Sequence, residues 1–216
     1  MERRRWVLYL DEILNSITHG AGVLLSIAGL VLLVVFASIR DADAWKIVSF
    51  SVYGASLIMM FTASTLYHSF RDKKTKHFLN LFDHASIYVL IAGTYTPFTL
   101  VSMRGPWGWS IFGVIWGLAV AGVIFKLFFY KDKYRLISAI IYVVMGWIII
   151  IALGPLIRNV PSGGLYWLFA GAIFYSSGVF FYIRRKNRFN HVIWHLFVLA
   201  GSISHFFAIF YHVLPH

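Results

Sequence analysis

The sequence predicts an all-α integral membrane protein, a bundle of seven transmembrane helices, and three observations predict it. Hydrophobic residues fill 60% of the 216 positions and charged ones 12%, against about 45–50% and about 25% in ordinary soluble domains. The charges are clumped, leaving uncharged stretches at 13–39, 47–70, 84–103, 105–125, 136–157, 159–183 and 189–216. The shortest is 20 residues long, and roughly 20 helical residues cross a hydrocarbon core of about 30 Å. Basic residues then alternate between the connecting segments. Arg3, Arg4 and Arg5, the cluster Arg71, Lys73, Lys74 and Lys76, the group Lys126, Lys131, Lys133 and Arg135, and Arg184, Arg185, Lys186 and Arg188 total 15, leaving four for the other side. Lys and Arg concentrate in cytoplasmic segments, which places the N-terminus in the cytoplasm and the C-terminus outside.

The expected helices run at about 17–39, 47–68, 81–101, 108–129, 136–156, 165–183 and 190–213, within one membrane domain spanning 1–216. Behind the basic start, the first apolar segment exceeds the 7–15 residues of a signal-peptide core, so it reads as a retained helix. Long apolar runs that do not alternate exclude the ten-residue pattern of a β-barrel. Trp6, Trp45, Trp107, Trp109, Tyr130, Tyr134, Trp167 and Tyr182 fall near helix ends, as interfacial anchors do. On the third helix, Pro97 is expected to introduce a kink whose freed carbonyl Thr94, Thr96 or water satisfies. On the fourth, Gly113, Gly117 and Ala121 are spaced by four, which predicts close approach to a neighbouring helix.

Composition also limits the chemistry. A formal net charge of +11 reads as an orientation signal rather than a nucleic-acid footprint, because little surface remains to form a groove. With no cysteine, disulfides, thiol chemistry and Cys-ligated zinc are excluded, and any metal must use histidine, carboxylate or hydroxyl ligands.

Ionisable groups inside spans are costly and default to functional candidates. Glu12, Asn15 and His19 share one face of the first helix, at spacings of three and four. Ser64 and His68 stand near the end of the second helix, Asp83 and His84 open the third, and His191 and His195 open the seventh. Since successive helices run in opposite directions, all four groups fall at the cytoplasmic end. Two histidines at i and i+4 project together from one helix turn, so His191 and His195 can bind one ion, with His68 as the third ligand. A catalytic zinc takes three protein ligands and a water. Asp83 would hold that water as general base, with Glu12 the second choice, since the seventh helix lacks the Glu of HExxH.

Plainer roles stand beside these. A histidine pair can hydrogen-bond between helices, Ser64 can bond the carbonyl four residues back, and Asn15 and His19 can tie the first helix to the bundle. His77, among lysines, is expected to be solvated, and His84 points about 100° away from Asp83 around the helix. Ser202, His205 and His212 continue a heptad stripe from His195, expected either to line a polar path or to be satisfied by neighbouring helices.

Taken together, Glu12-x-x-Asn15-x-x-x-His19, Ser64-x-x-x-His68, Asp83, the segment Gly93-Thr94-Tyr95-Thr96-Pro97 and His191-x-x-x-His195 resemble the hemolysin III family and its relatives, the progestin and adiponectin receptors. The resemblance covers essentially the whole chain. It implies intramembrane zinc on His68, His191 and His195, accompanied by Asp83 and Ser64, and a lipid amidase activity of ceramidase type. It does not carry hormone binding, for which the receptors' long N-terminal region has no counterpart here. The expected protein is therefore a multi-pass cell-membrane protein, acting as a zinc-dependent hydrolase of lipid amides or esters with membrane lipids as partners. A membrane-permeabilising cytolysin, or a receptor-like regulator of membrane homeostasis with structural zinc, are the alternatives.

Overall fold

The computed structural model describes residues 2–129, 134–184 and 189–215, with side chains from residue 10 onward. The expectations for Tyr130, Lys131, Lys133, Arg185, Lys186 and Arg188 lie outside the described residues, and those for Arg3, Arg4, Arg5 and Trp6 outside the described side chains. Among those described there are seven helical spans and no strand, as the apolar runs predict. The first two spans are α1 (Glu2–Arg40) and α2 (Ala44–Ser69). The third is α3 (Lys73–Pro97) with a π-helical turn at Phe98–Ser102, and the fourth is α4 (Pro106–Ile124) with another at Phe125–Phe129. The fifth joins α5 (Arg135–Trp147) to α6 (Leu153–Asn159) through a 3-10 segment, Ile148–Ala152. The last two are α7 (Ser162–Ile183) and α8 (Asn190–His212).

Short polar connectors start these helices. Asp43 Oδ1 accepts the Trp45 N–H at 2.9 Å and opens α2, and Asp72 Oδ2 accepts the Thr75 N–H at 2.9 Å and opens α3. Each cap satisfies a backbone donor that the first helical turn leaves free. At the far end of α1, Lys46 Nζ holds Asp41 Oδ2 at 2.5 Å and the Leu214 carbonyl at 3.2 Å. The beginning of α2 is thereby tied to the residues just beyond α8.

The third span is the most buried of the seven. It packs against α2, α4 and α5, while α1 packs against α2 and α8, and α7 against α5 and α8. Gly93 lets α2 and α3 approach closely, since a Cβ there would stand 2.2 Å from Ser56 Oγ.

Two local expectations are corrected. Gly113 and Gly117 do not form a packing face, because a Cβ on either would meet nothing within 4 Å. The buried residues of α4 are Gly108, Ile111, Ile115 and Ala119, and Gly122 sits against Tyr88. Spacing by four identifies a stripe but not the side of the helix that meets protein. Near Pro97, the hydroxyls of Thr94 and Thr96 bond the Leu90 and Ala92 carbonyls at 2.8 and 2.9 Å. They are not held in reserve for a carbonyl freed by Pro97, and the helix continues past it as a π turn.

Candidate metal centre

At the end of the bundle that carries the α2–α3 connection, α8 presents His191 and His195 one turn apart, and α2 presents His68 across from them. One nitrogen from each lies within 4.8 Å of the other two. The rings meet closely, with centroids 5.1 Å apart for His68 and His191, 4.9 Å for His68 and His195, and 4.6 Å for His191 and His195. His68 Nε2 and His191 Nε2 are 3.3 Å apart. These three histidines can hold a metal ion.

Two of the rings are oriented from behind. Glu12 Oε2 accepts the His68 Nδ1 proton at 2.7 Å, and Lys76 Nζ donates to Glu12 Oε1, also at 2.7 Å. A carboxylate can only accept, so Nδ1 carries the proton and the Nε2 lone pair faces His191. His195 Nδ1 reaches the Asn15 carbonyl at 3.4 Å, which directs His195 Nε2 forward in the same way. Partners of this kind fix the tautomer and ring orientation of metal-ligating histidines.

His19 lies flat on His195, with centroids 3.6 Å apart and an interplanar angle of 11°. Phe61 meets it edge-on at 5.0 Å. Both His19 nitrogens are buried without a hydrogen-bond partner among the described residues, and its ring face lies on the cluster. The Glu12, Asn15 and His19 face predicted from spacing is thus turned toward the histidines. Its members differ in what they contribute: a carboxylate to His68, a backbone carbonyl to His195, and a stacked ring. Both Glu12 oxygens are engaged, one by His68 and the other by Lys76.

Asp83 stands outside the set of mutually close ligand atoms, yet it lines the same cavity as His191, His195 and Ser64 and is only 8% exposed. Ser64 is buried, and its Oγ has no partner among the described residues. It does not form the bond to the carbonyl four residues back that Ser26, Ser51 and Ser69 make. His84 lines the cavity too, with Nδ1 on the Asn80 carbonyl at 2.8 Å and 3.8 Å from Asp83 Oδ2, and Nε2 against the Tyr182 hydroxyl at 3.1 Å. His77 is exposed.

From this end an apolar cavity of about 120 Å³ extends into the bundle. His191, His195, Asp83 and Ser64 line it at one end and Phe98, Leu168, Tyr175 and His205 further in. Neither the cavity nor the partnership of Glu12 with Lys76 is legible in the sequence. Lys76 belongs to a basic run whose reading as an orientation signal hides this second use.

Fold and centre together define a class, a seven-span helical membrane protein with a buried histidine cluster opening onto an apolar chamber. Residues 8–206 match the family model described as Haemolysin-III related, and the chain belongs to this family. It is 48% identical over 202 residues to the "Hemolysin-3 homolog" of Bacillus subtilis, covering 94% of each chain. It is 46% identical to "Hemolysin-3" of Bacillus cereus, covering 95% of this chain and 93% of the relative. The human "Monocyte to macrophage differentiation factor" is 29% identical, covering 90% of this chain and 81% of its own length. The protein is a multi-pass protein of the cell membrane.

Proposed function

We propose that the protein is a zinc-dependent hydrolase of lipid amide or ester bonds, ceramidase-like in type, working from the cytoplasmic leaflet. One observation carries the reading: a three-histidine cluster, two of its rings oriented from behind, adjoins an apolar cavity that a buried carboxylate and a buried hydroxyl also line.

The donor set fits zinc. Two nitrogens about 2.0–2.1 Å from a tetrahedral ion stand roughly 3.3–3.4 Å apart; the His68 and His191 Nε2 pair has that spacing, 3.3 Å, and the three ligand atoms lie within 4.8 Å of one another. An ion held by these three imidazoles would keep a fourth position for water or substrate, as catalytic rather than structural sites do. When bound there, zinc acts as a Lewis acid and lowers the pKa of a water to about 7.

The chain's own residues supply the rest. Asp83 takes the proton of the attacking water and returns it to the departing nitrogen or oxygen. Ser64 Oγ, with no internal acceptor, donates a hydrogen bond to the substrate carbonyl or orients the water. Glu12 holds the His68 ring in place, and the Asn15 carbonyl and His19 hold that of His195. The apolar walls take the acyl chain and exclude bulk water. Water adds across the acyl bond, and the products are a carboxylic acid and an amine or alcohol.

The test is purified full-length protein analysed for zinc and incubated with a panel of ceramides, acyl amides and esters. The reading expects about one zinc per chain and cleavage of at least one lipid class, lost in Asp83→Asn. Zinc-loaded protein that cleaves nothing in the panel contradicts it. The names of the bacterial relatives suggest lysis, and liposome leakage that survives His191→Ala would favour that function instead.

A further inference from the structure

His205 lies ten residues beyond His195 on α8, roughly 15 Å at the rise of a helix, and both line the same cavity. Its Nε2 is 3.0 Å from the Leu168 carbonyl. A carbonyl only accepts, so Nε2 carries the proton, and Nδ1 of the neutral ring is left as an acceptor. That Nδ1 is buried and has no partner among the described residues, in a residue only 7% exposed.

The surroundings hold the ring and, among the described residues, give its Nδ1 no donor. Gly171 leaves the space the ring fills, since a Cβ there would stand 2.3 Å from His205 Cδ2. The Tyr175 ring lies 5.5 Å away, but its hydroxyl pairs with Ser202 Oγ at 2.7 Å. Thr94 and Ser176, which also line the cavity, bond the Leu90 and Ala172 carbonyls. Buried acceptors are almost always satisfied, and a fixed one without a protein donor beside an apolar chamber suits a donor brought by a ligand.

We propose that His205 Nδ1 accepts a hydrogen bond from a hydroxyl part-way along the lipid chain, so that the cavity selects hydroxylated over unsubstituted acyl chains. The inference rests on the reading of the cavity as the seat of an acyl chain. An extended chain advances about 1.3 Å per carbon, from bonds of about 1.5 Å, so roughly 15 Å corresponds to a hydroxyl near the twelfth carbon.

The experiment is competition for binding to purified full-length protein, with radiolabelled stearic acid displaced by stearic, 12-hydroxystearic or 6-hydroxystearic acid. The 12-hydroxy acid is expected to bind about tenfold more tightly than stearic acid, the 6-hydroxy acid to lose that gain, and His205→Leu to abolish it. The three-acid comparison needs only the wild-type protein, so a poorly folding variant leaves the proposal exposed to refutation. Equal affinity for all three acids, no saturable binding, or a 12-hydroxy preference intact in His205→Leu would overturn it. Binding of free acids requires no turnover. A protein that shows the preference but cleaves no lipid contradicts the hydrolase reading alone, and one that cleaves lipids without the preference contradicts only this proposal.

Discussion

Glu12 and His68 are joined across 56 positions of sequence by a 2.7 Å hydrogen bond from the ring Nδ1 to the carboxylate. This bond makes His68 a defined ligand, because it commits the proton to Nδ1 and turns Nε2 toward His191. Lys76 occupies the other carboxylate oxygen, so one acidic residue links α1, α2 and α3 behind the cluster.

Removing that link weakens metal binding while leaving all three histidines. Loss of a partner that orients a ligand typically costs 10- to 100-fold in metal affinity. Glu12→Ala is expected to fall in about that range by chelator competition, with Glu12→Gln, which keeps an acceptor, nearer wild type. Unchanged affinity in Glu12→Ala would show that the rings are held by packing alone.

Asp83 and Ser64 are expected to separate chemistry from binding. General acid–base groups contribute about 10²- to 10⁴-fold. Asp83→Asn should lower turnover by about that factor, and Ser64→Ala by about tenfold or more. Both should retain the wild-type metal content by elemental analysis, since neither residue belongs to the close ligand set. Loss of metal in Asp83→Asn would make it a ligand instead.

The contact between Asp41 and Lys46 gives a pH-dependent stability at the opposite end of the bundle. The Lys46 ammonium holds the Asp41 carboxyl below its usual range. A depressed folded-state pKa stabilises the fold above the unfolded value of about 3.9, and the effect is lost as pH falls through the lower folded value. Asp41→Asn should therefore unfold at lower temperature than wild type near neutral pH, with the two melting curves converging once Asp41 is protonated. A difference that does not change with pH would assign the effect to something other than this charge.

Gly171 tests the seating of His205 independently of any ligand. Gly171→Ala places a methyl against the ring, and overpacking of this kind costs about 1–3 kcal/mol. Reduced thermal stability is expected, together with loss of the hydroxy-acid preference. Full stability and an unchanged preference would mean that the ring moves freely.

The fold was legible because lipid-spanning helices announce themselves as long uncharged runs, and alternating helix direction brought Glu12, His68, Asp83 and His191 to one end before any coordinates. Less could be read where a feature depends on which side of a helix meets protein. Gly113 and Gly117 have packing-motif spacing but no neighbour, while Gly93, Gly171 and Gly201, with no such pattern, meet Ser56, His205 and Tyr175. The roles of Glu12 and His205 depend on a single proton each, placed by a partner from another helix. No local spacing encodes such a partner.

In the proposed centre His68 joins His191 and His195 around one ion, although more than a hundred residues separate it from them. Elemental analysis of purified wild type and His68→Ala, compared at equal helicity by circular dichroism, tests it most directly. About one zinc per chain is predicted for wild type, falling to near zero in the variant. Metal-free wild-type protein after purification in zinc, or equal zinc in a folded His68→Ala, would contradict it.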